Sequence, residues 1–139
     1  MYERPTLNEL LQAIQRYLET QIAPAVKNDG KLYFHTLIAL NLLKIAEREV
    51  ELAGSHQRAE WERLNGLQGV DIAAPINPSE LSNGLTRRNQ LLAEAIRMGE
   101  YDDATPRALL LAHLLAITRE QLEVANPRYL QNEAPPDLP

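Results

Sequence analysis

Two stretches of the chain are similar to each other, and both are apolar on nearly every side of a helix. Residues 37–54 read LIALNLLKIAEREVELAG, and residues 109–126 read LLLAHLLAITREQLEVAN. An ungapped alignment places Asn41 on His113, as the polar residue inside each apolar run. A helix that is apolar on opposite faces is normally surrounded by other protein. The two stretches therefore predict two long central helices.

Capping residues, glycines and prolines predict the ends of the helices. Thr6 and Glu9 have the spacing of a capping box, so a first helix begins there and bends or ends at Pro24. Gly54 predicts the end of the second helix. The further predicted elements are a helix 2 over 31–53, a helix 3 from Ser55 to Gly66, a loop over 67–79, a helix 4 over 78–99 and a helix 5 from Thr105 to Asn126.

These elements predict an all-α fold, a four- to five-helix bundle in one domain over residues 1–130. Residues 131–139 are rich in proline and acidic groups and predict a disordered tail. Helices 1 and 4 correspond loosely as well, which raises the hypothesis of two helical hairpins related by a pseudo-twofold axis. Leucine-rich helices also resemble one another by chance, so the duplication is a hypothesis.

Composition excludes several classes of function. The net charge is −5 and there is no basic stripe, which argues against a nucleic-acid partner. The absence of cysteine excludes disulfides, thiolate chemistry and cysteine-based zinc sites. The amino-terminal residues lack the pattern of a secretory signal, and no apolar run reaches the ~18 residues that a membrane span needs. We therefore expect a cytoplasmic protein with no membrane span.

Catalytic motifs are missing from the sequence. There is no phosphate-binding loop, no dinucleotide fingerprint and no His-Glu-x-x-His pattern. The histidines at 35, 56 and 113 are too scattered to predict a metal site. We therefore predict no catalytic residue, no metal and no cofactor, and an enzyme is the less favoured class.

Polar residues on faces that should be buried form the candidate site. They are Asn41, Arg48 and Glu49 on helix 2, Arg88 on helix 4 and His113 on helix 5. Burying such groups is unfavourable unless they find partners. One interpretation is an internal network that pairs Arg88 with Glu49 and Asn41 with His113. A second is a polar pocket between helices 2, 4 and 5 for a small anionic or amide-bearing ligand. A third makes His113 or Glu49 a general base.

Several segments together carry a resemblance to a known family. They are Arg4-Pro5, the run LLQAIQRYL, Ile22, Pro24, Phe34, Asn41, Arg48-Glu49, Gly54, Ile96-Arg97-Met98-Gly99, Leu110, His113, Leu114 and Ala125-Asn126-Pro127-Arg128-Tyr129. This order resembles a small bacterial family of unknown function, whose members are often encoded beside aminoglycoside-phosphotransferase-like kinases and acyl-CoA dehydrogenases. The resemblance covers nearly the whole chain and implies no active site. It implies an accessory protein with a kinase-like phosphotransferase or an acyl-CoA dehydrogenase as partner.

Three hypotheses of function follow. The leading one is a non-enzymatic accessory or protein-interaction module that forms a homodimer, since its central helices are apolar on two faces. The alternative is a small-ligand binding protein that uses the polar pocket. The third is an enzyme that acts on a CoA-linked or phosphorylated small molecule.

Overall fold

A computed structural model describes residues 4–131 of the chain, and the fold is all-α, as predicted. No β-strand occurs within that range. The elements in order are α1 (Leu7–Tyr17), a π-helical turn (Leu18–Ile22), α2 (Ala23–Ala25), α3 (Gly30–Gln68), α4 (Pro78–Arg97), α5 (Ala104–Ala125) and α6 (Pro127–Gln131). The predicted tail at 131–139 lies, apart from its first residue, outside the described residues.

The start of α1 confirms the predicted capping box. The Thr6 hydroxyl oxygen accepts a hydrogen bond from the Glu9 backbone N–H at 3.1 Å, and the Thr6 N–H donates to the Glu9 carboxylate at 2.8 Å. At the other end, Pro24 follows the π-helical turn Leu18–Ile22. Proline lacks a backbone N–H and its ring displaces the carbonyl four residues earlier, so the wider turn accommodates it.

Helix α3 continues through the residue that was predicted to end it. It runs for 39 residues, from Gly30 to Gln68, so the predicted stop at Gly54 and the separate third helix from Ser55 were wrong. A glycine inside a helix costs only about 1 kcal/mol relative to alanine, which neighbouring helical residues can offset. At the aligned position, α5 does end at Ala125, because Pro127 cannot supply the next N–H.

The connection between α3 and α4 spans residues 69–77 and is shorter than predicted. Gly69 begins it at a φ of 65°, a left-handed conformation that favours glycine. Asn77 closes it as the N-cap of α4, where its side-chain oxygen accepts from the backbone N–H groups of Ser79 and Glu80. Gly99, at a φ of 83°, follows the carboxyl end of α4 as predicted.

The chain divides into two compact units, and both boundaries fall inside helices. The first unit comprises residues up to Ala53 with those from Val124 onward, and the second is Gly54–Glu123. The second unit has a core of Trp61, Leu64, Leu81, Leu85, Leu92 and Leu110. In the described part of the first unit, the buried residues are Thr36, Leu40 and Val124. The single domain over 1–130 stays a prediction.

The two similar stretches place their aligned polar residues in different environments. Asn41 is exposed on α3, whereas His113 is buried on α5. The buried residues of the first half of α3 are Thr36 and Leu40, which lie on another side of the helix from Asn41. Positions that are aligned in the two stretches therefore do not share the same degree of burial.

None of the helices described between residues 4 and 131 has the length and apolar character required to cross a membrane.

Candidate functional site

The five predicted site residues are divided between the two units. Asn41, Arg48 and Glu49 belong to the first unit, while Arg88 and His113 belong to the second. Only Arg88 and His113 are buried, at 8% and 4% exposure. Arg48 is half-buried, and Asn41 and Glu49 are exposed. The burial predicted for this group thus holds for its two members in the second unit.

In the first unit, Asn41 and Arg48 line the same concave surface, here called the polar hollow. Its volume is about 290 Å³, and its other lining residues are Lys44, Ala125, Asn126, Pro127 and Arg128. The Arg48 Nε donates a hydrogen bond of 2.6 Å to the backbone carbonyl of Val124. Carbonyls in the last turn of a helix have no partner within it, so Arg48 satisfies one at the end of α5.

The polar hollow is rich in positive charge. Lys44, Arg48 and Arg128 contribute three cations to its lining. The Lys44 Nζ lies 3.6 Å from a carboxylate oxygen of Glu19, but both side chains are exposed, so this ion pair contributes little. The hollow therefore offers amides and cations to a small anion.

In the second unit, Arg88 is the centre of a buried polar network. Its guanidinium donates to the side-chain oxygens of Asn65 at 2.9 Å and of Gln68 at 2.8 Å. The guanidinium carbon also lies 4.6 Å from the centre of the Trp61 ring, a cation–π distance. The Glu49 carboxylate that was predicted as a partner of Arg88 belongs to the first unit, and that pairing stays a prediction. Arg88 holds together α3 and α4 within the unit.

The same network fixes the connection over residues 69–77. The Trp61 Nε1 and the Asn65 Nδ2 both donate to the carbonyl oxygen of Ile72, at 2.7 Å and 2.9 Å. Asn65 thus uses its amide nitrogen on the loop and its amide oxygen on Arg88. Buried polar groups that are fully partnered in this way stabilise one arrangement of the backbone.

His113 has no partner of this kind. Within the second unit, neither ring nitrogen has a hydrogen-bond partner. The predicted pairing with Asn41, which belongs to the first unit, stays a prediction. Burial lowers the pKa of His113 below its ordinary value of 6.5, and the positive charge of Arg63 lowers it further. Glu60 and Glu120 act in the opposite direction on this pKa. The imidazole is therefore neutral at pH 7 and carries one donor and one acceptor.

His113 lines a second concave surface, here called the apolar hollow. Its volume is about 380 Å³, and its other lining residues are Arg63, Gly66, Leu67, Leu109 and Ala112. The two Nη atoms of Arg63 donate to the two carboxylate oxygens of Glu120, at 2.7 Å and 2.8 Å. This paired geometry neutralises Arg63 at the edge of the hollow.

Sequence reasoning missed most of the polar residues that the second unit uses. Asn65 lies next to Gly66, the predicted end of helix 3, where an asparagine is explained without any tertiary contact. Arg63 and Glu120 are 57 residues apart, and no local pattern links them. The one available signal was Trp61, because a single tryptophan in a chain of 139 residues often marks a core.

Among residues 4–131, no cluster of three or more His, Asp or Glu side chains is arranged to hold a metal ion. Arg88 has protein partners for its guanidinium, and His113 has no carboxylate hydrogen-bonded to its ring to orient it.

The sequence comparison identifies the family of this chain. A family described as a domain of unknown function, DUF6285, matches residues 24–129, which is most of the chain. The chain belongs to the DUF6285 family. This confirms the resemblance to a family of unknown function. The DUF6285 match includes residues of both units. Neither the curated proteins nor the solved structures include a significant match.

Proposed function

We propose that this DUF6285 protein is a non-enzymatic accessory protein whose first unit is a protein-interaction module. The observation that carries the proposal is an exposed apolar surface on α3. Phe34, Leu37, Ile38 and Leu42 are each exposed by 43% to 60%, and we call them the α3 stripe. Their spacing of three and four residues places them on one side of the helix.

The α3 stripe lies on the side of the helix that the first unit leaves uncovered. Thr36 and Leu40 are buried, and at about 100° per residue they project from another side of α3. Helix α1 exposes a second row at the same spacing, formed by Leu7, Leu10, Ile14 and Tyr17. Monomeric proteins rarely expose contiguous apolar patches above a few hundred Å², so surfaces of this kind mark interaction sites.

The composition of the stripe favours a second copy of the same chain as its partner. Residues 32–43 read LYFHTLIALNLL and contain no Asp, Glu, Lys or Arg. In a symmetric dimer the same patch meets its own copy, so an unbalanced charge in the patch would be brought near the same charge. An uncharged apolar stripe meets its own copy without that penalty.

We further propose that the dimer works as an accessory to an enzyme, with a kinase-like phosphotransferase or an acyl-CoA dehydrogenase as the partner that the family resemblance implies. The exposed row on α1 supports this part, because it offers a second apolar surface besides the α3 stripe. Co-expression of the chain with such an enzyme from its own host tests it. A stoichiometric complex, measured by native mass spectrometry, is the expected result, and two separate species would contradict it.

Phe34→Glu is the variant that tests the dimer. Sedimentation equilibrium should give the unaltered chain twice the 15.7 kDa mass of one copy, and Phe34→Glu should shift it to the mass of one copy. Val50→Glu is the matched control, since Val50 is also exposed on α3 but lies about 160° from Phe34 around the helix. A monomeric unaltered chain, or equal loss in both variants, would contradict the proposal.

The alternative function is a small-ligand binding protein, and the polar hollow favours it. Asn41 and Arg48, two of the predicted site residues, share this hollow with Lys44 and Arg128. The extension of the pocket to Glu49, Arg88 and His113 stays a prediction. Inorganic phosphate is a suitable probe, because the lining presents cations and amides.

Phosphate should raise the melting temperature of the protein if the polar hollow binds anions. Arg128→Gln should reduce that rise, whereas Arg87→Gln, at an exposed position on α4, should leave it unchanged. A rise that is the same in both variants would show that phosphate acts elsewhere, and would contradict this alternative.

A further inference from the structure

Buried polar atoms without a partner are concentrated at the apolar hollow. In the described part of the chain, four buried side-chain polar atoms lack a hydrogen bond, and three of them are the Arg63 Nε and both ring nitrogens of His113. Arg63 and His113 line the same hollow. Native proteins leave few buried polar groups unpaired, and such groups often mark a place where another molecule supplies the partner.

The charges around the hollow disfavour an anion as that molecule. Each Nη atom of Arg63 donates to the Glu120 carboxylate, and the Nε–H is the buried donor of this guanidinium that has no partner. Glu60 and Glu120 are the negative groups that act on His113, and Arg63 is the positive one. The imidazole is neutral and adds no positive charge. A ligand with a negative charge would meet an Arg63–Glu120 ion pair with no net charge and the negative charge of Glu60.

The walls of the hollow are suited to an apolar body. Leu67, Leu109 and Ala112 line it, and Gly66 has no side chain to fill it. A Cβ added at Gly66 would have nothing within 4 Å. The volume of about 380 Å³ lies within the range of small-molecule sites.

We propose that the apolar hollow binds an uncharged alcohol, with its hydrocarbon part against Leu67 and Leu109 and its hydroxyl at Arg63 and His113. A hydroxyl matches two of the three unpaired atoms, because its oxygen accepts from the Arg63 Nε–H and its proton is donated to the unprotonated ring nitrogen of His113. The three unpaired nitrogens have almost no solvent-accessible surface, so binding includes a small rotation of the imidazole. This inference is independent of the interaction surface on α3.

A titration with 1-hexanol tests the proposal on the full chain. The ¹⁵N signals of the His113 ring, observed by NMR, should shift and saturate as the alcohol is added. Gly66→Leu places a side chain in the hollow and should weaken the apparent affinity at least tenfold. Gly54→Leu is the matched control, since both glycines lie in α3 with open space around an added Cβ, and only Gly66 lines the hollow. It should bind as the unaltered chain does.

Ala112→Leu fills the same hollow from α5 and keeps the test decisive if Gly66→Leu does not fold. Hexanoate at pH 7 should bind at least tenfold more weakly than 1-hexanol. Equal binding of hexanoate would overturn the choice of an uncharged ligand, and unchanged binding by both filled variants would overturn the location. Chemical shifts that do not saturate would overturn the proposal as a whole. The same conclusion would follow if the shifts disappeared at high protein concentration because a second copy of the chain covers the hollow.

Discussion

The two units of this chain differ in how many large apolar side chains they enclose. The second unit buries a large set, with Leu64 and Leu81 fully enclosed and Trp61 in contact with them. The first unit buries Leu40 and Val124 among its described residues, and it leaves two rows of large apolar side chains exposed on α1 and α3. Apolar residues at helical spacing thus form an enclosed core in the second unit, which also exposes Leu109, Leu111 and Leu115 on α5. In the first unit they form mainly an outward surface.

Apolar periodicity identifies a helix face that must be covered but does not identify what covers it. In the second unit, polar residues lie next to the core and fix its arrangement through Arg88 and Asn65. In the first unit, the segment 34–42 that contains the α3 stripe has no Asp, Glu, Lys or Arg that would favour exposure of this face to solvent. In the second unit, other helices of the same unit cover the apolar faces that form the core, whereas the α3 stripe of the first unit is left uncovered.

Truncation of the most enclosed side chain should give the largest difference between the units. Leu64 is 0% exposed, so Leu64→Ala should lower the free energy of unfolding by about 3 kcal/mol through lost burial and the cavity left behind. Leu42→Ala, at 59% exposure, should change it by less than about 0.5 kcal/mol at low protein concentration, where monomers dominate. Urea denaturation measures both. Equal losses would mean that Leu42 belongs to a core within the monomer.

Removal of the central guanidinium should have the next largest effect. Arg88→Met keeps most of the volume but leaves the oxygens of Asn65 and Gln68 unpaired and removes the contact with Trp61. We expect a loss of about 2 kcal/mol in the free energy of unfolding. Arg87→Met, at the exposed neighbouring position, should have almost no effect, and a similar loss in both would show that the network contributes little.

Two glycine substitutions should have opposite signs. Gly84→Ala brings its Cβ within 2.9 Å of the Trp61 ring, and that ring is held by the Ile72 carbonyl and by Arg88. Overpacking here should lower the free energy of unfolding by about 1–2 kcal/mol. Gly54→Ala meets no atom within 4 Å and should raise it by about 0.5–1 kcal/mol. Thermal denaturation by circular dichroism distinguishes the two, and a stabilising Gly84→Ala would mean that the ring moves aside.

The smallest expected effect is a pH dependence from His113. Its folded-state pKa lies below the ordinary value of 6.5, so the unfolded chain takes up a proton first as the pH falls. Stability is therefore constant above that pH and decreases below it, by less than about 1 kcal/mol at about pH 6 for this one group. His113→Leu should remove this part of the pH dependence, while His35→Leu, at an exposed position, should keep it. Chemical denaturation at several pH values measures it, and identical slopes would contradict the neutral imidazole.

The parts of the fold that sequence predicted correctly are those set by neighbouring residues. One is the capping box at Thr6 and Glu9. Another is helix 4, predicted over 78–99 and observed as α4 over Pro78–Arg97. Both depend on contacts within a few residues, so they are visible in the sequence. Gly54 was misinterpreted because a glycine ends a helix only when the residues that follow also disfavour it. No proline follows Gly54 closely, whereas Pro127 follows Ala125.

The candidate site was predictable only in part, because its partners are distant in sequence. The burial of Arg88 and His113 followed from their position among apolar residues at helical spacing. Their surroundings did not follow, since Asn65 lies 23 residues from Arg88 and Glu120 lies 57 residues from Arg63. Periodicity gives the face of a helix on which a polar side chain lies, and tertiary packing decides which group it meets.

The two hydrogen bonds on the Ile72 carbonyl have a consequence for how this connection can evolve. Both hydrogen bonds are accepted by a backbone oxygen, so they do not depend on which side chain is present at position 72 or at the exposed Ile76. The loop can therefore change its own residues while keeping its path. Its conformation is encoded in Trp61, Asn65 and Arg88, which lie on the helices before and after it.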